Sequence, residues 1–186
     1  DNTDKTALIT RLTGASVRVT YDRETNPFRH RWIYTGSAKV SNDFYTSQHI
    51  TETYLKLLEP VGVPVVSREI RLVPREQDLQ VVKKYALGFG PKVLLHPGSR
   101  SRFRIWPSER FAAVCDYLQD ELNAQVFIVA GPGELTLAKE IQQKAKGHVV
   151  LIEERFPLGQ FAALISKFDL FLCHDSGPMH IAAGVG

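Results

Sequence analysis

Short uninterrupted apolar runs alternate with longer amphipathic ones through the second part of the chain. KVLLH (92–96), QVFIVAG (125–131), HVVLI (148–152) and DLFLCHD (169–175) are each too short for a helix and predict strands. Between them, helical spacing appears over 107–121, 134–146 and 158–167, and again from 179 to 185. Pro107 suits the opening of the first of these, since a helix tolerates proline in its first turn. A further helix is predicted over 78–88, ending near Gly88. Strands that are apolar throughout, without alternation, are expected where both faces of a parallel sheet are covered. Strands alternating with helices in this way predict a doubly wound α/β sheet.

The first part is less regular. Residues 5–13 predict a helix closed by Gly14, 16–21 a short strand, and 48–59 a helix stopped by Pro60 and Gly62. EIRLV (69–73) reads as a strand. The stretch 22–47, with Pro27 and Gly36, shows no sustained period and reads as a long functional loop or lid. Pro74 places a domain boundary near 74–78, giving domains of 1–76 and 77–186. The helical start at Asp1 and the apolar, uncapped stop at Gly186 lead us to expect a piece of a longer chain.

Composition and charge narrow the function classes. The 186 residues are 44% hydrophobic and 23% charged, as in globular proteins, which disfavours disorder, collagen-like repeats and coiled coil. No run of about 18 apolar residues is present to span a membrane, and the first thirty residues lack the apolar core of a signal peptide. A net charge of +3, from 23 Lys and Arg against 20 Asp and Glu, is too small to argue for nucleic acid. Cys115 and Cys173 lie in apolar stretches and read as buried thiols in a reducing, cytoplasmic setting. No closely spaced His/Cys set suggests a metal, and no cofactor is expected.

Ligands of open α/β sheets bind outside the carboxyl ends of the strands, and three loops there carry unusual residues. In HPGSRSRFRIWP (96–107), Gly98 turns the chain, Ser99 offers a hydroxyl, and Arg100 or Arg104 can bind phosphate in a planar, bidentate way. Arg102 and Arg110 complete a local cluster, which reads either as an anion site or as a solvated loop. AGPGE (130–134) ends in Glu134 at a helix start, where the helix dipole favours an acid; with Thr136 at the third glycine's place it is not a dinucleotide fingerprint. In HDSGPMH (174–180), Ser176 and Gly177 sit at a helix N-terminus, a natural anion site. Asp175 would repel phosphate and reads as an acceptor for sugar hydroxyls or as a helix cap. Met179 and His180 have ordinary structural readings as well.

Together, HPGSRSRFRIWPSERFAAV, VFIVAGPGE and FDLFLCHDSGPMHIAAGVG resemble glycosyltransferase family 9, the ADP-heptose:lipopolysaccharide heptosyltransferases, strongly over about 90–186. ITRLTGASVRVTYDRE and HITETYLKLLEPVGV are weakly similar to the later part of that family's N-terminal domain. The resemblance implies an α/β, GT-B-type fold of two Rossmann-like domains, both incomplete here, with the donor nucleotide on the C-terminal one. It implies an inverting transfer of heptose from an ADP-sugar donor to a lipid-linked inner-core oligosaccharide, beside the inner membrane of a Gram-negative-type bacterium. Arg104 matches a basic residue contacting donor phosphate and sugar, a position commonly Lys in the family. Ser99 with Arg100 matches the phosphate loop, Glu134 an acid near the ribose, and Phe156 the place of the adenine. Asp175 matches a carboxylate on the donor sugar, and 176–180, with Pro178, Met179 and His180, the diphosphate segment. The general base would be an Asp early in the N-terminal domain, so this segment is expected to bind donor without turnover. A non-catalytic nucleotide-binding module, a transferase with another sugar donor, and a nucleic-acid patch built on Phe103 and Trp106 are the competing readings.

Overall fold

A computed structural model of the chain describes residues 4–25 and 30–186, so Asp1 and Pro27 lie outside the described residues. The chain forms two compact units, 1–69 and 70–186.

In the first unit, helix α1 (Asp4–Leu12) ends at Gly14, whose φ of +68° is the left-handed turn that glycine adopts without strain. Strand β1 (Val19–Arg23) pairs in parallel with β2 (Gly36–Val40), Val19 opposite Gly36 and Arg23 opposite Val40. Helix α2 (Asn42–Ser47) follows, its first turn capped by Ser41, which accepts from the Phe44 amide at 3.1 Å. The segment 22–47 is therefore not one long loop. It holds a strand and a helix, hidden in the sequence because GSAKV carries few apolar side chains. Helix α3 (Ile50–Leu55) gives way to a 3₁₀ turn over Lys56–Val61, where Pro60 cannot continue an α-helix.

The second unit is the regular one. Helix α4 (Glu76–Val82) is shorter than predicted and tightens into a 3₁₀ turn over Lys83–Ala86. Strand β3 (Lys92–His96), helix α5 (Ser108–Leu122), β4 (Gln125–Val129), α6 (Leu135–Lys144), β5 (Val149–Ile152), α7 (Leu158–Ile165), β6 (Leu170–Cys173) and α8 (Gly177–Val185) then alternate. The four strands form one parallel sheet in the order β5-β4-β3-β6. Val93 and Leu95 of β3 join Phe111 and Cys115 of α5 and Ile141 of α6 on one face. Leu94, between them, joins Val82 of α4 and Leu164 of α7 on the other. The central strands β3 and β4 are buried on both sides, and this is why they read as unbroken apolar runs.

The segment 69–73 is not a strand. Ile70 and Val73 are exposed, and the one backbone bond made there runs from the Leu72 amide to the Gly184 carbonyl of α8, at 2.5 Å. That contact ties the segment to the second unit, so the division falls at 69/70, a few residues before the boundary expected from Pro74.

Candidate functional site

From β3 the chain steps outward through β4 to β5, then returns to place β6 on the other side of β3. Loops leaving β3 and β6 therefore diverge at their carboxyl ends, and a crevice opens between them. The β3 loop makes one 3₁₀ turn, Arg102–Arg104, with the Arg104 amide bonded to the Ser101 carbonyl at 3.0 Å. This aims Arg104 at the β6 loop, where its Nη1 donates to Asp175 Oδ2 at 2.6 Å. Two residues on, the Trp106 amide donates to Nε2 of His174 at 2.9 Å. An amide can only donate, so Nε2 of His174 accepts in this contact. The Trp106 and His174 rings both meet Phe111 edge-on, at 5.4 and 5.2 Å. An ion pair and a hydrogen bond thus join the two loops over an aromatic floor.

Helix α8 starts beneath Asp175. Ser176 stands at its N-cap position, but its hydroxyl donates to the His174 carbonyl, and no side chain caps the helix. Asp175 is engaged by Arg104 and does not serve as the cap. In the first turn Pro178 has no N–H and the Met179 amide donates to the Ser176 carbonyl at 3.1 Å, which leaves the Gly177 amide for an outside acceptor.

The third loop comes from β4. Glu134 precedes α6 and accepts from the Gly131 amide at 2.8 Å, closing the turn on itself. Its carboxylate also lies over Gly98, where a Cβ would fall about 2 Å from it. A side chain at position 98 would have to displace that carboxylate from its place between the β3 and β4 loops. His96, the last residue of β3, is buried with Nε2 3.5 Å from Glu134 Oε2 and Nδ1 without a partner. Burial pushes its pKa below the ordinary histidine value, against the opposing pull of Glu134.

Between these loops lies a cleft of about 610 Å³. Ser99, Arg100, Arg104, Glu134, Asp175, Ser176, Gly177 and Pro178 all reach it. A smaller apolar pocket of about 170 Å³ adjoins, lined by Phe156 and Phe161 and sharing His96, Gly131 and Pro132 with the cleft. Met179 and His180 do not line either; both are exposed on α8. The arginine cluster also separates: Arg102 lies 5.2 Å over the Phe103 ring and Arg110 is exposed on α5, leaving Arg100 and Arg104 at the cleft. Sequence reasoning missed His96 and His174. Their signal was a polar residue at the end of each apolar strand, at the edge where ligands bind.

The sequence model described as glycosyltransferase family 9 (heptosyltransferase) matches residues 1–186. The chain belongs to glycosyltransferase family 9. Lipopolysaccharide heptosyltransferase 3 of Escherichia coli K12 is 30% identical over 145 residues, 74% of this chain and 41% of that protein. The crystal structure of the family 9 glycosyl transferase from Veillonella parvula matches with a TM-score of 0.79 at 22% identity, over 100% of this chain and 53% of its own. The structure of E. coli ADP-heptose lipopolysaccharide heptosyltransferase II matches with a TM-score of 0.73 at 19% identity, over 99% of this chain and 58% of its own. This family 9 chain spans about half the length of these relatives. Its fold is their α/β, GT-B type. No helix among the described residues is long and apolar enough to cross a membrane.

Proposed function

We propose that this family 9 chain belongs to an inverting transferase that moves heptose from an ADP-activated donor to a lipid-linked inner-core acceptor of lipopolysaccharide. The enzyme works at the cytoplasmic side of the membrane holding that acceptor, through peripheral contact. The second unit, expected from the sequence as 77–186, binds the donor, and the first is the acceptor-side part. The observation that carries this reading is the cleft itself. A guanidinium and an uncapped helix start share it, and an apolar pocket opens beside it. That is the chemistry of a nucleoside diphosphate, with charge at one end and an aromatic base at the other.

In this reading the diphosphate lies against Arg104, Arg100, the Ser99 hydroxyl and the Gly177 amide that opens α8. The ribose faces Glu134, whose Oε1 remains open once Oε2 accepts from Gly131, and the adenine enters the pocket beside Phe156. Asp175 accepts from donor sugar hydroxyls. The acceptor hydroxyl attacks the anomeric carbon as the bond to the diphosphate oxygen breaks, and its proton passes to a carboxylate of the acceptor-side domain. Negative charge grows on the departing ADP, where fixed donors stabilise the transition state more than the ground state. Met179 and His180, exposed on α8, take no part.

The test is Arg104→Ala in the full-length enzyme. Loss of one fixed donor at a developing anion should lower kcat roughly a hundred- to a thousand-fold. An unchanged rate would remove Arg104 from the reaction. A thermal-shift panel of ADP, UDP, GDP and NAD separates the donor classes, since the bound nucleotide raises Tm most. ADP is expected to lead.

A further inference from the structure

The small pocket beside the cleft is mostly apolar, with Phe156, Phe161, Val129 and Ala130 in its wall. It shares His96, Gly131 and Pro132 with the cleft, so those residues mark its phosphate end. Glu154 and Arg155 also line the pocket but do not border the cleft. They stand at the far end, where a nucleotide places its base. A carboxylate there needs explaining, because a nucleotide is rich in acceptors and offers donors only at its ribose hydroxyls and on its base.

Glu154 is fixed from outside its own loop. Lys84, in the 3₁₀ turn Lys83–Ala86, donates to its Oε1. That bond holds the carboxyl pKa below the ordinary value, so Glu154 is ionised at neutral pH. Tyr85, the next residue of the same turn, meets Phe156 edge-on with ring centres 6.3 Å apart. One turn therefore holds both the carboxylate and the aromatic wall beside it. An ionised carboxylate only accepts and has about four sites for doing so, which Lys84 does not exhaust. The side chain is 47% exposed, within reach of a ligand. Arg155, exposed at the same end, only donates.

An acceptor next to a donor complements adenine, whose 6-amino group donates while a neighbouring ring nitrogen accepts. Guanine and hypoxanthine carry an oxygen at that position, and an oxygen is repelled by a carboxylate. We propose that Glu154 selects the base of the donor by accepting from its 6-amino group, with Arg155 donating to the neighbouring ring nitrogen. Lys84 acts as a positioning residue for that carboxylate. The proposal rests on the donor reading above and names the side chains that distinguish one base from another.

The experiment titrates the full-length enzyme by calorimetry with ADP and with inosine diphosphate, whose base has an oxygen in place of the amine. Wild type should prefer ADP by about tenfold. Glu154→Ala should bring the two nucleotides within about twofold of each other. Glu154→Gln, whose amide both accepts and donates, should bind inosine diphosphate more tightly than wild type does. Lys84→Met should narrow the preference to about threefold by freeing the carboxylate. Arg104→Ala should weaken both nucleotides and leave their ratio unchanged. Equal binding by wild type overturns the proposal. So does a tenfold ratio that survives Glu154→Ala, whether both affinities hold, which assigns the amine to the backbone, or both fall together, which makes Glu154 a support of the pocket wall. Wild type that binds neither nucleotide overturns the donor reading and this proposal with it, whereas tight ADP binding matched by inosine diphosphate overturns this proposal alone.

Discussion

A lysine at position 104 would keep the charge but not the fork. Arg104 reaches Asp175 with one nitrogen and leaves further coplanar N–H groups free. Arg104→Lys should therefore retain activity above Arg104→Ala but raise KM for the donor by about tenfold, as steady-state kinetics would show. His96 makes a different prediction. Its folded pKa lies below the ordinary value because burial penalises the charged form. The unfolded chain then binds more protons than the folded one on the acid side. The contribution is complete above a pH of about 6.5 and is lost as pH falls from there through the folded value. Urea unfolding at stepped pH should show stability declining as pH falls below about 6.5, with a shallower decline in His96→Asn. At this scale much of the candidate site was legible: Ser99, Arg104, Glu134 and Asp175 stand on loops that their residue types mark for anions or sugars. That Arg104 meets Asp175 was not legible. Neither residue's neighbourhood says that β3 and β6 lie side by side.

Between elements, the contact of Glu134 over Gly98 joins the β3 and β4 loops. Gly98→Ala would place a methyl group on the carboxylate and push it off the Gly131 amide that closes the β4 turn. We expect it to lower Tm and weaken ADP binding by about tenfold, both measurable by thermal shift with and without nucleotide. Because the clash is with one side chain, Glu134→Ala should relieve it. Gly98→Ala added to Glu134→Ala should cost far less stability than it does alone, and equal costs would disprove the coupling. The same scale shows where local pattern fails. GSAKV becomes β2 despite its few apolar residues because it borders β1 and buries Ala38 and Val40. EIRLV has the better strand composition and pairs with no strand among the described residues; its Leu72 amide bonds the Gly184 carbonyl of α8 instead. Strand propensity describes a pleated, half-buried surface, and the tertiary context supplies that surface or withholds it.

Across the second unit, one sheet separates two cores, and each apolar strand serves both. This was the most legible feature of the sequence, because burial on both faces leaves an unmistakable unbroken run. It also sets the cost of damage. Leu95 is fully buried against α5 and α6, so Leu95→Ala should destabilise the protein by about 2–5 kcal/mol in urea titration. Catalytic groups are untouched by that change, and kcat should hold below the new melting point.

The position of β6 beside β3 has a consequence for how the molecule is made. Arg104 and Asp175 are 71 residues apart in the chain, and the pairing beneath them joins Val93 to Leu170. Every other neighbouring pair in this sheet closes a shorter loop. Chain entropy charges most for the longest closure, so contacts of this separation slow folding. The crevice does not exist until that closure is made. A nucleotide that binds there therefore recognises the finished sheet, and its occupancy during refolding would time the arrival of the last strand.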